Sequence, residues 1–286
     1  MASTREIKRR ITSVKNTRQI TKAMKMVAAA KLRRAQDAVV QARPYATKMR
    51  EVVGSLGASF GGESHPLLAR RNEKNVLVLL FSSDKGLCGA FNSNLFKAVL
   101  KIMEENEGKD VHLSSIGKKG RDYFRRRKVT MEKAYVDFSR NVNYPFAASI
   151  AKDVIEMYTS GKVDKVYIVY NKFRTVIAQD VTVAQLVPVS LEAGANAEEK
   201  PEGLYEPSAA SVLDAIVEQY VEVQVYQALL ESWASENGSR MAAMDSASRN
   251  AGDMINRLTL IYNRARQSAI TKELIEIVSG ADALKG

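Results

Sequence analysis

The sequence predicts an α/β protein: a long antiparallel coiled coil of the N- and C-terminal helices plus an inserted Rossmann-like α/β domain with a mainly parallel sheet. Three observations predict it. Residues 3–53 contain one proline, Pro44, and no glycine, and residues 208–279 contain no proline and only Gly238 and Gly252. Both segments repeat apolar residues in heptads. Between them, short apolar runs alternate with amphipathic stretches, as in a parallel sheet with crossover helices. The expected divisions are 1–58 for the first helix, 74–190 for the α/β domain, 191–207 for an acidic Gly/Pro/Ala-rich linker and 208–286 for the last helix.

The heptad positions of the first segment are Ile7, Ile11, Val14, Arg18, Thr21, Lys25, Ala28, Leu32, Ala35, Val39, Ala42, Ala46, Met49, Val53 and Leu56. All but Arg18, Thr21 and Lys25 are apolar. Across that break the stripe is expected to step sideways onto Ile20, Met24 and Val27, which changes the local winding of a coiled coil. Pro44 is expected to kink the helix, and Gly54, Gly57, Gly61, Gly62 and then Pro66 to end it.

In the middle, Asn75–Phe81 is a fully apolar, β-branched run, the mark of a buried parallel strand. Asn92–Glu105 reads as a helix, Asp110–Ile116 as a strand, Lys118–Arg127 as a short basic helix, Phe146–Tyr158 as a helix and Lys165–Tyr170 as a strand. Thr175–Val189 reads as a hairpin or edge pair.

The last segment is expected to be capped by Ser208 or Ser211, with Asp214 in its first turn. Its heptad runs Val212, Ile216, Gln219, Val223, Tyr226, Leu230, Trp233, Asn237, Arg240, Met244, Ala247, Ala251, Met254, Leu258, Ile261, Ala265. Ala242, Ala243, Ala247 and Ala251 allow close approach to the Ala-rich first helix. At about 1.5 Å per residue the last helix outreaches the first by about 30 Å. Its tip is apolar on several faces, at Ala269, Ile270, Leu274, Ile275, Ile277 and Val278. Such a surface is normally buried, so other chains are expected to supply a socket.

Charge is one-sided. Residues 1–50 carry net +12, residues 208–286 net −3 and the rest net +2. A basic block of this kind fits a nucleic-acid arm or an acidic protein partner. As a transit peptide it is too long, because its apolar repeat continues far past any presequence. No run approaches 18 apolar residues, so no direct transmembrane segment is expected. The lone Cys88 excludes an internal disulfide, and with two histidines no metal site is expected.

Ser82-Ser83-Asp84-Lys85-Gly86-Leu87-Cys88-Gly89 stands between a strand and a helix, where an α/β fold places a phosphate loop. Its spacing matches neither a Walker loop nor GxGxxG, and no acidic residue ends the second strand. A conformational glycine turn is the plainer reading. Cys88 has no dyad context with His65 or His112. The basic stretch Lys118–Lys128 reads as a solvated face or a surface for anionic lipid or acidic loops. Met24 and Met26 read as core or as a flexible contact surface. No catalytic carboxylate pair or triad stands out, and no cofactor is expected.

Five stretches, in order, resemble the gamma subunit of F-type (rotary) ATP synthases: residues 7–36, RPYATKMREV (43–52), SSDKGLCGAFN (82–92), EPSAASVLDAI (206–216) and ITKELIEIVSGADA (270–283). The last is the most specific, and the match covers nearly the whole chain. The resemblance is to the bacterial type; no large insertion of the kind that carries the regulatory dithiol of chloroplast members is seen, and one cysteine could not form it, so thiol regulation is not implied. The resemblance implies a central-stalk rotor coupling a proton-driven membrane c ring to an alpha/beta hexamer. The subunit itself would be non-catalytic, peripheral, on the cytoplasmic face of the bacterial plasma membrane, with epsilon as a further partner. By motif match, Ile20, Lys22, Met24, Lys25, Arg240, Gln267, Thr271, Glu273 and Glu276 are expected to contact the hexamer, and Leu204, Tyr205 and Glu206 the epsilon subunit and c ring. A basic coiled-coil nucleic-acid binder is the runner-up. Against it, a parallel zipper would not have antiparallel helices in one chain. A nucleotide-dependent enzyme is the third reading.

Overall fold

The computed structural model describes residues 3–60, 65–189 and 209–283. Its elements are α1 (Thr4–Phe60), β1 (Asn75–Phe81), α2 (Phe91–Glu105), β2 (Asp110–Ile116), α3 (Lys118–Arg126), β3 (Met131–Tyr135), α4 (Tyr144–Thr159), β4 (Lys165–Phe173), β5 (Gln179–Val187) and α5 (Ala209–Ala283). The chain forms two compact units, Met1–Val27 with Met241–Gly286, and Ala28–Arg240. The division therefore cuts across both long helices. We call these the tip unit and the body unit.

In the body unit the sheet order is β3-β2-β1-β4-β5. Pairing is parallel from β3 to β4, and β5 closes the edge antiparallel to β4. β1 is central and buried on both faces, which explains its unbroken apolar run. Leu77, Leu79 and Phe81 point to one core with α4 and the inner faces of α1 and α5, while Val78 and Leu80 point to the other, with α2 and Phe124 of α3. The chain thus winds one way through β1, β2 and β3, then reverses to β4. The switch point lies between the carboxyl ends of β1 and β4, where doubly wound sheets hold ligands.

Local chemistry explains most boundaries. The Asn143 side chain accepts from the Phe146 N–H (3.0 Å) and Pro145 occupies the first turn, so α4 starts at Tyr144, ahead of the expected Phe146. β4 runs on past Tyr170 to Phe173 because β5 pairs with it to that residue. β3 was not anticipated: Met-Glu-Lys-Ala-Tyr has neither an apolar run nor clean alternation, and it is an edge strand with mostly half-exposed residues.

Two expectations about the long helices need correction. α1 passes through Gly54 and Gly57 and continues to Phe60. Packing of Met49 and Val53 in the body core outweighs the weak helix propensity of glycine there. Pro44 lies inside α1, as a proline within the helix was expected to, and α1 continues on both sides of it. At the start of α5, Ser211 is a helical residue and not a cap. Ser208, with the expected 191–207 linker, lies outside the described residues.

The helices run antiparallel in each unit. In the body unit Arg50 bonds Gln224 (3.2 Å) and Arg43 bonds Glu231 (2.9 Å). In the tip unit Lys25 bonds Asp245 (2.6 Å) and Arg18 lies over Gly252. α1 has 57 residues and α5 has 75.

Among the described glycines, Gly117 in the β2–α3 turn makes the closest approach to neighbouring backbone. Gly117 has φ 101°, and a Cβ there would stand 2.3 Å from the Ser82 carbonyl oxygen. Gly108 has φ 95° with nothing within 4 Å. Gly117→Ala should therefore lose more than about 2 kcal/mol and Gly108→Ala only about 1 kcal/mol. Urea unfolding of the two variants beside the parent checks this order.

Candidate functional site

In the tip unit two of the three polar heptad residues of α1, Thr21 and Lys25, stay in the seam, while Arg18 is exposed. Thr21 is buried, its hydroxyl donating to the Arg18 carbonyl (3.0 Å), and Lys25 is half-buried on Asp245. Ile20 and Val27 are 60% and 58% exposed. The expected sideways step does not occur. A lysine whose ammonium reaches a carboxylate on the facing helix can keep its aliphatic stem in the seam, so the polar residues did not have to leave it. On α5 the seam does move: Ile255 and Tyr262 are half-buried, while Met254 and Ile261, placed on the stripe by the heptad count, are 52% and 51% exposed. A straight helix drifts against a strict seven-residue repeat, so a count carried along the whole segment misses by one position.

The Lys25 ammonium holds the Asp245 carboxyl below the usual carboxylate range, and Arg249 (3.1 Å) adds to it. With a lowered folded value, the pairing is present above the ordinary carboxylate range and lost as pH falls through the lowered one.

The register of Lys25 with Asp245 and Arg18 with Gly252 sets Thr4, the first residue of α1, level with Arg266. Beyond Ala269 every described side chain of α5 is exposed, including Ile270, Leu274, Ile275, Ile277 and Val278. The residues expected to make contacts at this end, Gln267, Thr271, Glu273 and Glu276, are all solvent-facing. The Thr271 hydroxyl donates back to the Gln267 carbonyl (3.0 Å) and Lys272 lies 3.6 Å from Glu276. On α1, Lys22 is exposed and Met24 half-exposed, beside exposed Ile20 and Met26. The tip unit thus carries two separate surfaces, an apolar helix end and, about 30 Å back along the pair, a mixed basic and apolar flank. Leu204, Tyr205 and Glu206 lie outside the described residues.

Arg240 belongs elsewhere, in the body unit. Its side chain is only 13% exposed; it pairs with Glu236 (2.7 Å) and donates to the carbonyls of Lys85 (3.1 Å) and Gly86 (3.3 Å). It thus holds the 82–89 loop. Burial pushes the Glu236 carboxyl above its usual range. The loop is closed by its own groups: Asp84 accepts from the main-chain N–H groups of Lys118 (3.2 Å), Asp137 (3.0 Å) and Ser139 (3.2 Å). A carboxylate already sits where a phosphate would meet the start of α3. Cys88 is buried against Ser83 and Asn92, and burial pushes its thiol up. His65 accepts from the Leu67 N–H and His112 lies beside Glu132, so neither serves Cys88.

The switch-point crevice is filled by α5. Ser232 donates to the carbonyl of Phe81 at the end of β1 (3.2 Å), Ser235 to that of Asn171 in β4 (3.0 Å), and Glu231 accepts from the Phe173 N–H (2.9 Å). Sequence reasoning missed these residues. The signal was a polar run, Glu231-Ser232 and Ser235-Glu236-Asn237, covering all faces of an otherwise apolar helix; a helix polar there and yet buried must pair with main chain. Among the described residues no cluster of His, Cys, Asp or Glu is placed to hold a metal, and no helix is long and apolar enough to cross a membrane.

A chain of this architecture, with its crevice occupied by its own helix, matches the profile of the ATP synthase family over residues 3–284, and it belongs to that family. Its place there is with the gamma chains. It is 51% identical over 288 residues to the ATP synthase gamma chain of Geobacter metallireducens, covering 100% of both chains, and 47% identical over 285 residues to that of Pelotomaculum thermopropionicum, again covering 100% of each. A solved central stalk and c ring of the Tetrahymena thermophila mitochondrial ATP synthase contains a chain 30% identical to this one, with TM-score 0.60, covering 80% of this chain and 99% of that one. A chain of the Euglena gracilis mitochondrial enzyme shares the fold at 22% identity, with TM-score 0.70, over 98% of this chain and 94% of that one.

Two outcomes are expected at this site. By NMR titration, the Asp245 carboxyl should titrate below the ordinary aspartate range and rise toward it in Lys25→Met, with Arg249 still in place. Asp84→Asn, which weakens three main-chain bonds to a carboxylate, should cost about 2 kcal/mol in urea unfolding.

Proposed function

We propose that this chain is the central-stalk rotor subunit of a bacterial F-type ATP synthase, coupling rotation of a membrane c ring to ATP synthesis and hydrolysis in an alpha/beta hexamer. The observation that carries it is the bare end of α5, an apolar helix running past its partner with exposed side chains on every face. A soluble chain tolerates such a surface only where something else encloses it. The full-length likeness to gamma chains supports the same reading.

In this role the chain performs no bond chemistry; nucleotide and catalytic groups belong to the surrounding subunits. The shaft acts by its unequal faces. Around Lys22 the flank is basic and apolar; across the seam the Lys25 charge is partly neutralised by Asp245. Turning presents these faces in succession to each surrounding catalytic subunit, so each meets a different charge and shape in each third of a turn. Ile20, Lys22, Met24 and Lys25 contact acidic loops of the hexamer from the flank, and Gln267, Thr271, Glu273 and Glu276 contact its upper part. Arg240 supports these contacts indirectly, through the loop it holds. The epsilon and c-ring contacts fall to Leu204, Tyr205 and Glu206. The subunit is peripheral, on the cytoplasmic face of the bacterial inner membrane. The nucleic-acid reading draws no support from the relatives found.

Two tests follow. Met24→Lys adds a cation beside Lys22 and Lys25 at the moving contact. It should leave assembly intact and reduce ATP-driven proton pumping more than ATP hydrolysis; unchanged pumping would remove Met24 from the contact. Leu274→Asp with Ile277→Asp should shift the stability of the isolated chain by less than about 0.5 kcal/mol, since both residues are exposed. The same pair should abolish co-purification of alpha and beta subunits; retained co-purification would show that the tip has no socket.

A further inference from the structure

Glu231 is a fully buried carboxylate in the body unit, and three elements meet on it. Arg43 of α1 reaches Oε1 with both Nε (3.0 Å) and Nη2 (2.9 Å), and the Phe173 N–H of β4 donates to Oε2 (2.9 Å). The same Arg43 Nη2 donates to the Phe173 carbonyl (3.2 Å). Phe173 is the last residue of β4, and its main chain is thus satisfied on both sides by the two long helices. Gly238, two turns further along α5, lets the helix lie against the Phe173 ring: a Cβ there would meet it at 3.3 Å.

This arrangement is a poor way to gain stability. Buried ion pairs are often matched or bettered by apolar side chains of the same volume, because desolvation offsets the attraction. What such a pair does supply is register. Apolar contacts are non-directional and allow one helix to roll or slide on another, whereas charge-assisted hydrogen bonds hold both distance and angle. The other α5-to-strand ties among the described residues, Ser232 to Phe81, Ser235 to Asn171 and Ser239 to Gln179, are neutral and reach the sheet alone. The Glu231 group also reaches α1.

We propose that Glu231, with Arg43 and the Phe173 main chain, is a positioning joint that passes torque between the helix pair and the sheet of the body unit; this rests on the central-stalk reading above. Arg43 is 43% exposed, so its bond is partly screened by water. The buried leg to the Phe173 N–H is the stiffer one. Replacing Glu231 by glutamine keeps the shape but leaves one acceptor for two donor legs, so an NH2 must face either the Phe173 N–H or the Arg43 guanidinium. Arg43→Lys keeps the charge and loses only the fork.

The test uses inverted membrane vesicles carrying the assembled complex, with Glu231→Gln, Arg43→Lys, the double variant, and Ser235→Ala as a control that removes one neutral tie. Subunit content, ATP hydrolysis and ATP-driven proton uptake are measured on the same vesicles. Subunit content should stay near that of the parent in all variants. Protons pumped per ATP should fall roughly fivefold in Glu231→Gln and roughly twofold in Arg43→Lys. The double variant should be no worse than Glu231→Gln, as groups acting as one unit require, and Ser235→Ala should pump like the parent. A normal pumping ratio in fully assembled Glu231→Gln overturns the joint while leaving the stalk reading intact. Loss of subunits in step with loss of pumping also overturns it, reducing Glu231 to a folding role. A parent chain that never enters such a complex overturns the stalk reading, and the joint with it.

Discussion

The structure of the body unit depends on one constraint: a long helix lies across the carboxyl ends of β1 and β4 and must satisfy main-chain groups that a doubly wound sheet leaves open there. In most such sheets a ligand answers those groups. Here Ser232, Ser235 and Glu231 answer them from α5. The cost is a set of buried polar side chains, tolerable only because each pairs with main chain or a cation. The consequence is that α5 cannot roll without breaking directional bonds.

Around that crossing the remaining polar groups fall into place. Arg240 leaves α5 one turn beyond Glu236, pairs with it, and pins the carbonyls of Lys85 and Gly86. Asp84 then ties the same loop to the start of α3 and to the turn after β3. A motif that resembles a phosphate loop by position is a mechanical junction by geometry. The tip unit follows a different logic. Its seam is held by apolar and small residues with one cross-helix ion pair, and its outer surface keeps the large apolar side chains that a self-contained protein would bury.

Much of the fold was legible. The bounds of β1 and β2 are those expected, because a buried strand flanked by turn residues has a sharp pattern. The two long helices were legible from the near absence of proline and glycine, and the apolar end of α5 from the run between Ala269 and Val278. The edge strand β3 was not, since half-exposed edge residues carry little pattern. Nor was the phase of the α5 seam, because small drifts add up over many turns. The loop-holding role of Arg240 was hidden because its partners lie about 155 residues away in the chain. The buried run around Glu231 was hidden because a buried carboxylate and an exposed one look alike until the sheet is built.

By itself the sequence determined the class of every helix and strand named here except the edge strand β3, the one-sided charge and the mismatch in helix length, since these follow from local periodicity and composition. Only the tertiary structure decided which polar residues are interior, that Thr21 and Lys25 remain in the seam, and that α5 occupies the sheet's ligand crevice. Those depend on donors and acceptors distant in the chain meeting within about 3 Å, and no local pattern records such a meeting.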